Sequence, residues 1–185
     1  MKLLLYCTKG KPYLIQGFAR PYHITDTNNP FNYKWGLIDY KSQNALNGKI
    51  IGECDYEIEE LFELPWDYGY ITKSIYNCNE NMDHAYEEIE KQCCLTRNEI
   101  KDYLGNEKIG YAIYIKNLHI YDRPRDLFYY TCVKGPRNMQ YVYSAYDKNK
   151  NILISIQPQW LAKILNGVKT IEVRKKVLKE MIGNE

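Results

Sequence analysis

The stretch Ile152-Leu153-Ile154-Ser155-Ile156-Gln157-Pro158-Gln159-Trp160-Leu161-Ala162-Lys163-Ile164-Leu165-Asn166-Gly167-Val168-Lys169-Thr170-Ile171-Glu172-Val173-Arg174-Lys175 decides the fold. Ile152 to Ile156 is a short, dense run of β-formers, the pattern of a buried strand. Pro158 opens a helix at the position where its missing N–H costs nothing. Leu161, Ile164 and Leu165 fall on one helical face, and Gly167 is a natural stop. From Lys169 the chain alternates again. Ile171 and Val173 point one way, and Glu172 and Arg174 share the other face of a second strand. Strand, tight helix and strand make a compact corner where a Gly, a Lys, a Glu and an Arg meet.

Gly167, Lys169, Glu172 and Arg174 are spaced Gly-x-Lys-x-x-Glu-x-Arg. This resembles the signature of the ASCH family, a branch of the PUA-like fold. The segment Ile154-Ser155-Ile156-Gln157-Pro158 is similar to the strand and Pro-led helix that precede that signature. The resemblance implies one α+β domain over residues 1–185. It would be a PUA-like β-barrel of mostly antiparallel strands with helices packed at its ends, residues 152–176 completing the barrel.

Bulk composition is compatible with this. A chain of 185 residues suits one domain, burying roughly 70% of its unfolded surface. With 25 basic against 23 acidic residues, a broad basic face for non-specific duplex binding is not expected, though a small nucleic-acid pocket is. The 19 Tyr fit a β-rich body, with a minority available to stack on bases. Cys7, Cys54, Cys78, Cys93, Cys94 and Cys132 include no Cys-x-x-Cys pair, and the His are scattered, so no metal site is expected. They read as reduced thiols of a cytoplasmic protein. Met1 to Cys7 has too short an apolar run for a signal segment, and nothing is long enough to span a bilayer.

Along the chain, Lys2 to Thr8 reads as a buried strand, Lys9 to Pro12 as a turn, and Tyr13 to Ile15 as a short continuation. Residues 16–47 are irregular, with Pro21, Pro30 and Gly36. Their aromatics (Phe18, Tyr22, Phe31, Tyr33, Trp35) either cover a pocket or form a satellite core. Asn47-Gly48 is a tight turn. Lys49 to Ile58 is a strand in which Gly52 marks a bulge or a close backbone approach, either of which re-aims Glu53. Glu57, Glu59, Glu60 and Glu63 read as a solvated face. Pro65 to Asn81 reads as turns and a short strand. Met82 to Lys91 has helical spacing, and Thr96-Arg97-Asn98-Glu99 is a capping box opening a helix that Gly105 ends. Tyr111 to Tyr121 is a long strand bent near Asn117 and ended by Asp122 to Arg125. His119 is packed or solvated on its face. Gly135 to Asn138 is a turn, Met139 to Tyr146 a strand, Asp147 to Asn151 a connector, and Val177 to Ile182 a short helix.

Other pieces resemble phage-type ASCH proteins: Tyr6 to Tyr13, Leu46 to Glu53, Leu95 to Gly105, and Gly110 to Pro124. The order differs from the family's, in which the signature comes first and the Tyr-Cys-Thr strand follows. The resemblance therefore implies a circular permutant, its old ends joined through Asp147 to Asn151. Ile113 and Tyr114 stand where relatives often carry Trp-His.

The resemblance also implies chemistry. Some relatives are amidohydrolases that deacylate N4-acetylcytidine with a Lys, a Thr and a Glu. Lys169 matches that Lys, Glu172 stands at the Thr, and Glu53 matches the Glu. Such a Lys serves as base or oxyanion partner and such a Glu shuttles a proton. Other relatives are ribonucleases or bind RNA or modified bases. In that reading Arg174, Lys9 and Lys175, with Lys169, hold phosphate, while Tyr6, Trp160 and Tyr13 stack. No cofactor is implied. The partner would be RNA or a modified nucleoside, with a protein partner open and no membrane. The plainer alternatives are that Glu172–Arg174 is a structural ion pair, that Trp160 is a core anchor, or that the fold serves protein interaction without catalysis.

Overall fold

The computed structural model describes residues 1–9, 47–65, 69–107 and 109–182. The Lys11-Pro12 turn, Tyr13 to Ile15, the loop aromatics and Trp66 to Tyr68 lie outside the described residues. The strands are β1 (Leu3–Cys7), β2 (Ile50–Glu63), β3 (Tyr70–Thr72), β4 (Ile109–Arg125), β5 (Met139–Tyr143), β6 (Lys150–Ile156) and β7 (Ile171–Arg174). The helices are α1 (Lys73–Cys78), α2 (Met82–Cys93), α3 (Arg97–Leu104), α4 (Pro158–Leu165) and α5 (Lys179–Ile182), with a 3-10 turn at Leu127–Tyr129. This is an α+β chain with a mixed seven-stranded sheet in the order β5-β6-β1-β2-β4-β7, and β3 paired to β2. Among the described residues β5 and β7 end that order, so the sheet is open. No helix among them is long and apolar enough to cross a membrane.

The chain groups into two compact units, Met1–Asp55 with Asn117–Gly167, and Tyr56–Lys116 with Val168–Glu185. β2 and β4 each contribute to both.

In the first unit every residue of β1 is buried, as a run of β-formers without polar interruption requires. β1 pairs in parallel with β6 (Leu3 with Ile152, Cys7 with Ile156) and antiparallel with β2. Opposite Leu5 and Tyr6 the β2 partner changes from Gly52 to Ile50, leaving Ile51 as the extra residue of a bulge. A Cβ on Gly52 would stand 2.4 Å from the His119 carbonyl oxygen. Both readings of this glycine, bulge and close approach, thus hold together. The Gly48 N–H donates to the Cys7 carbonyl (2.8 Å), tying the Asn47-Gly48 turn to β1. β5 and β6 form an antiparallel hairpin ending at Tyr143 and Lys150, and its turn is closed by the Lys148 N–H on the Ser144 carbonyl. The core gathers Leu4, Tyr6, Ile50, Tyr121, Tyr130, Cys132, Val142 and Leu153.

In the second unit the end of β2 pairs with β3, and the start of β4 pairs with β7. Ile171, Val173 and Ala112 join residues of α1, α2 and α3 in one core, including Ile75, Tyr86, Ile89, Ile100 and Leu104. The capping box forms as the spacing predicts: the Glu99 N–H donates to Thr96 Oγ1, and the Thr96 N–H to Glu99 Oε2 (2.8 Å). α2 runs to Cys93, two residues past the expected Lys91. α1 is a helix where the sequence suggested turns; Thr72 caps it by accepting from the Ile75 N–H. β4 also continues through Pro124 to Arg125 rather than ending at Asp122, since an extended strand end loses only a ladder donor to proline. The bend near Asn117 is real, with φ 48° in the left-handed region that asparagine tolerates. The acidic face is partly used: Glu59 accepts from the Ser74 N–H and Oγ, and Glu57 pairs with Lys116.

Candidate functional site

Of the signature residues, Lys169, Glu172 and Arg174 lie in the second unit, while Gly167 is the last residue of the first. Ile171 and Val173 enter the core, so alternation sends Glu172 and Arg174 to the opposite face of β7. Gly167 takes φ 70° with open space around it, the left-handed stop that lets the chain leave α4. Lys169 precedes β7, and its ammonium turns back toward the strand. It is only 3% exposed, and Glu172 only 7%. Lys169 Nζ donates to the Cys93 carbonyl at the end of α2 (2.5 Å) and lies 3.4 Å from Glu172 Oε2. Arg174 Nη2 meets the other oxygen, Oε1, at 2.9 Å. One carboxylate is thus shared by two cations, with exposed Lys175 next in the chain. Lys175 Nζ sits 5.6 Å from the Tyr103 ring centre. Burial pushes the Cys93 thiol up to about 11, with the Lys169 ammonium pulling the other way.

The remaining candidates, Glu53, Lys9, Tyr6 and Trp160, belong to the first unit. Glu53 Oε2 accepts from the Tyr121 hydroxyl at 2.5 Å. That hydroxyl also lies 3.1 Å from Tyr130 OH, to which Arg125 Nη1 donates at 3.0 Å. The Arg125 guanidinium covers the Tyr121 ring at 3.6 Å. Burial, and after it the bonds to Glu53 and Tyr130, hold the Tyr121 phenol far above its usual range. Tyr6 is buried; a Cβ on Gly135 would stand 2.3 Å from its ring. Lys9 is exposed, its stem against Gly48. Trp160 is half-buried with Lys163 Nζ 4.7 Å from its ring centre.

Two polar clusters were not foreseen. One is Glu53–Tyr121–Tyr130–Arg125, whose members are spread over three segments. The other joins Tyr114 OH to Thr72 Oγ1 (2.8 Å) and Ser74 Oγ (3.2 Å), with Ser74 donating to Glu59. Among the described residues no group of His, Cys, Asp and Glu is arranged to hold a metal ion. All six cysteines are free.

No protein-family model matches the chain, and no curated protein or solved structure matches it.

Proposed function

We propose that this is an ASCH-type nucleotide- or RNA-binding protein of the cytoplasm, a circular permutant of the PUA-like fold. The observation that carries the reading is the sharing of Glu172 between Lys169 and Arg174. The corner sets two cations on one carboxylate, with exposed Lys175 next in the chain, and a guanidinium fork oriented by a carboxylate suits an anion such as phosphate. Glu172 would then orient the Arg174 fork, and the buried Lys169 would hold Glu172 in place.

Calorimetric titration with cytidine 5′-monophosphate tests this. Arg174→Gln is expected to weaken binding by about tenfold or more, the loss expected for a charge-assisted bond at roughly 1.5–3 kcal/mol. Binding that is absent in the unaltered protein, or unchanged in the variant, rules the reading out.

The burial of Lys169 beside Glu172 favours a second reading, a hydrolase of modified nucleosides or RNA. Release of acetate from N4-acetylcytidine, lost in Lys169→Met, would support it. Stable N4-acetylcytidine would count against the amidohydrolase form.

A further inference from the structure

The first unit carries a row of exposed rings that the signature corner does not use. Phe128 is 68% exposed and Tyr146 79%. The Phe128 ring stacks on Tyr129 with centroids 4.6 Å apart and planes at 24°, and Tyr129 lies 6.0 Å from Tyr146 at 38°. The row is held by backbone bonds. The Tyr129 and Tyr130 amides close the 3-10 turn, and the Ala145 N–H donates to the Tyr129 carbonyl (2.9 Å). Tyr130 bridges to Ser144, and the Thr131 N–H donates to the Tyr143 carbonyl (2.7 Å). Tyr129 also packs on the core, so the middle ring is anchored and the outer two are presented.

The stretch of chain that carries the row is basic in sequence. From Leu127 to Lys163 the chain has Lys134, Arg137, Lys148, Lys150 and Lys163 against the single acid Asp147, although the whole protein is only +2. Asp147 is engaged in the hairpin turn, accepting from the Asn149 N–H (3.0 Å) and Nδ2 (2.7 Å). Asp126, at the start of the 3-10 turn, is paired with Lys49. Asp126 is thus neutralised by its partner, Asp147 keeps its charge within the turn, and Lys148 is exposed at the hairpin tip.

We propose that Phe128, Tyr129 and Tyr146 form a stacking platform for single-stranded nucleic acid, with Lys148 meeting the phosphates. Rings in a row beside cations suit unpaired bases, because every base offers a π-face and every linker a negative charge. The platform reads no base edge, so it tolerates sequence. It does not depend on the nucleotide reading of the signature corner.

Fluorescence anisotropy with labelled oligouridine RNA and oligothymidine DNA tests this, circular dichroism reporting the fold. Binding is expected to weaken as salt rises. The double variant Phe128→Ala/Tyr146→Ala should bind about tenfold or more weakly, the loss of one or two stacked bases. Phe128→Tyr/Tyr146→Phe should retain binding, and the RNA and DNA arms separate the two sources. Failure of the unaltered protein to bind either strand overturns the platform. So does equal affinity of the alanine variant, even if Arg174→Gln abolishes nucleotide binding. Should the alanine variant misfold, nitration of Tyr146 in the unaltered protein decides: oligouridine protects it if the platform exists, and an unchanged rate overturns it.

Discussion

Lys169 Nζ and Glu172 Oε2 lie 3.4 Å apart with side chains only 2% and 10% exposed. Removing either charge from so closed a place has unequal results. Glu172→Gln leaves Lys169 and Arg174 without their shared anion, and breaking a buried pair this way costs about 3–5 kcal/mol. Lys169→Met leaves Glu172 with Arg174 and should cost distinctly less. Urea unfolding of the two variants checks the order; equal losses would mean the carboxylate is not shared in solution.

Gly52 and Gly167 should respond differently to alanine. At Gly52 the added carbon meets the His119 carbonyl at 2.4 Å, backbone that cannot step aside. The cost should be about 1–3 kcal/mol, as for overpacking elsewhere, or more. At Gly167 there is open space and only the left-handed φ of 70° to oppose it, a cost of about 1 kcal/mol. Thermal melts of the two variants rank them.

Tyr121→Phe keeps the ring under Arg125 and removes only the hydroxyl. Glu53 loses a donor and Tyr130 a partner, so stability should fall by about 1–2 kcal/mol. A neutral result would place Glu53 in water rather than in this network.

Burial raises the thiols of Cys7 and Cys54 from 9.0 to about 12, and Cys93 to about 11. In the unfolded chain they ionise near 9, so between these values the unfolded state holds fewer protons. Their contribution is complete below about pH 9 and declines as pH rises through the window, by up to about 1.4 kcal/mol per pH unit for each thiol. Unfolding curves at pH 7, 9 and 10 should show the decline, less steep in Cys54→Ala. Exposed Cys78 should react with a thiol reagent in the native state well before the four buried cysteines, Cys7, Cys54, Cys93 and Cys132.

Local signals in the sequence carried over well. The Thr96 capping box, the Gly167 stop, the irregularity at Gly52 and the bend at Asn117 each depend on one or a few neighbouring residues. Glu172 and Arg174 meet because residues two apart share a strand face, which spacing alone reveals. What spacing conceals is partnership at a distance. Cys93, whose carbonyl receives Lys169, is 76 positions away. The bond of Tyr121 to Glu53 spans 68. α1 escaped notice because its six residues bury only Ile75, too little for a periodic stripe, and its start depends on Thr72. The parallel pairing of β1 with β6 has no local mark at all.

That pairing has a consequence for biosynthesis. The Lys2 amide donates to Asn151 Oδ1 across 149 positions, so β1 leaves the ribosome long before its parallel neighbour exists. Until β6 is made, Leu3 to Cys7 is a wholly apolar ribbon with one unpaired edge, a template for sticking to other nascent chains. Most of the first unit's assembly must therefore wait for nearly the entire polypeptide. A messenger truncated before Lys150 would yield a product prone to aggregate rather than a smaller working protein.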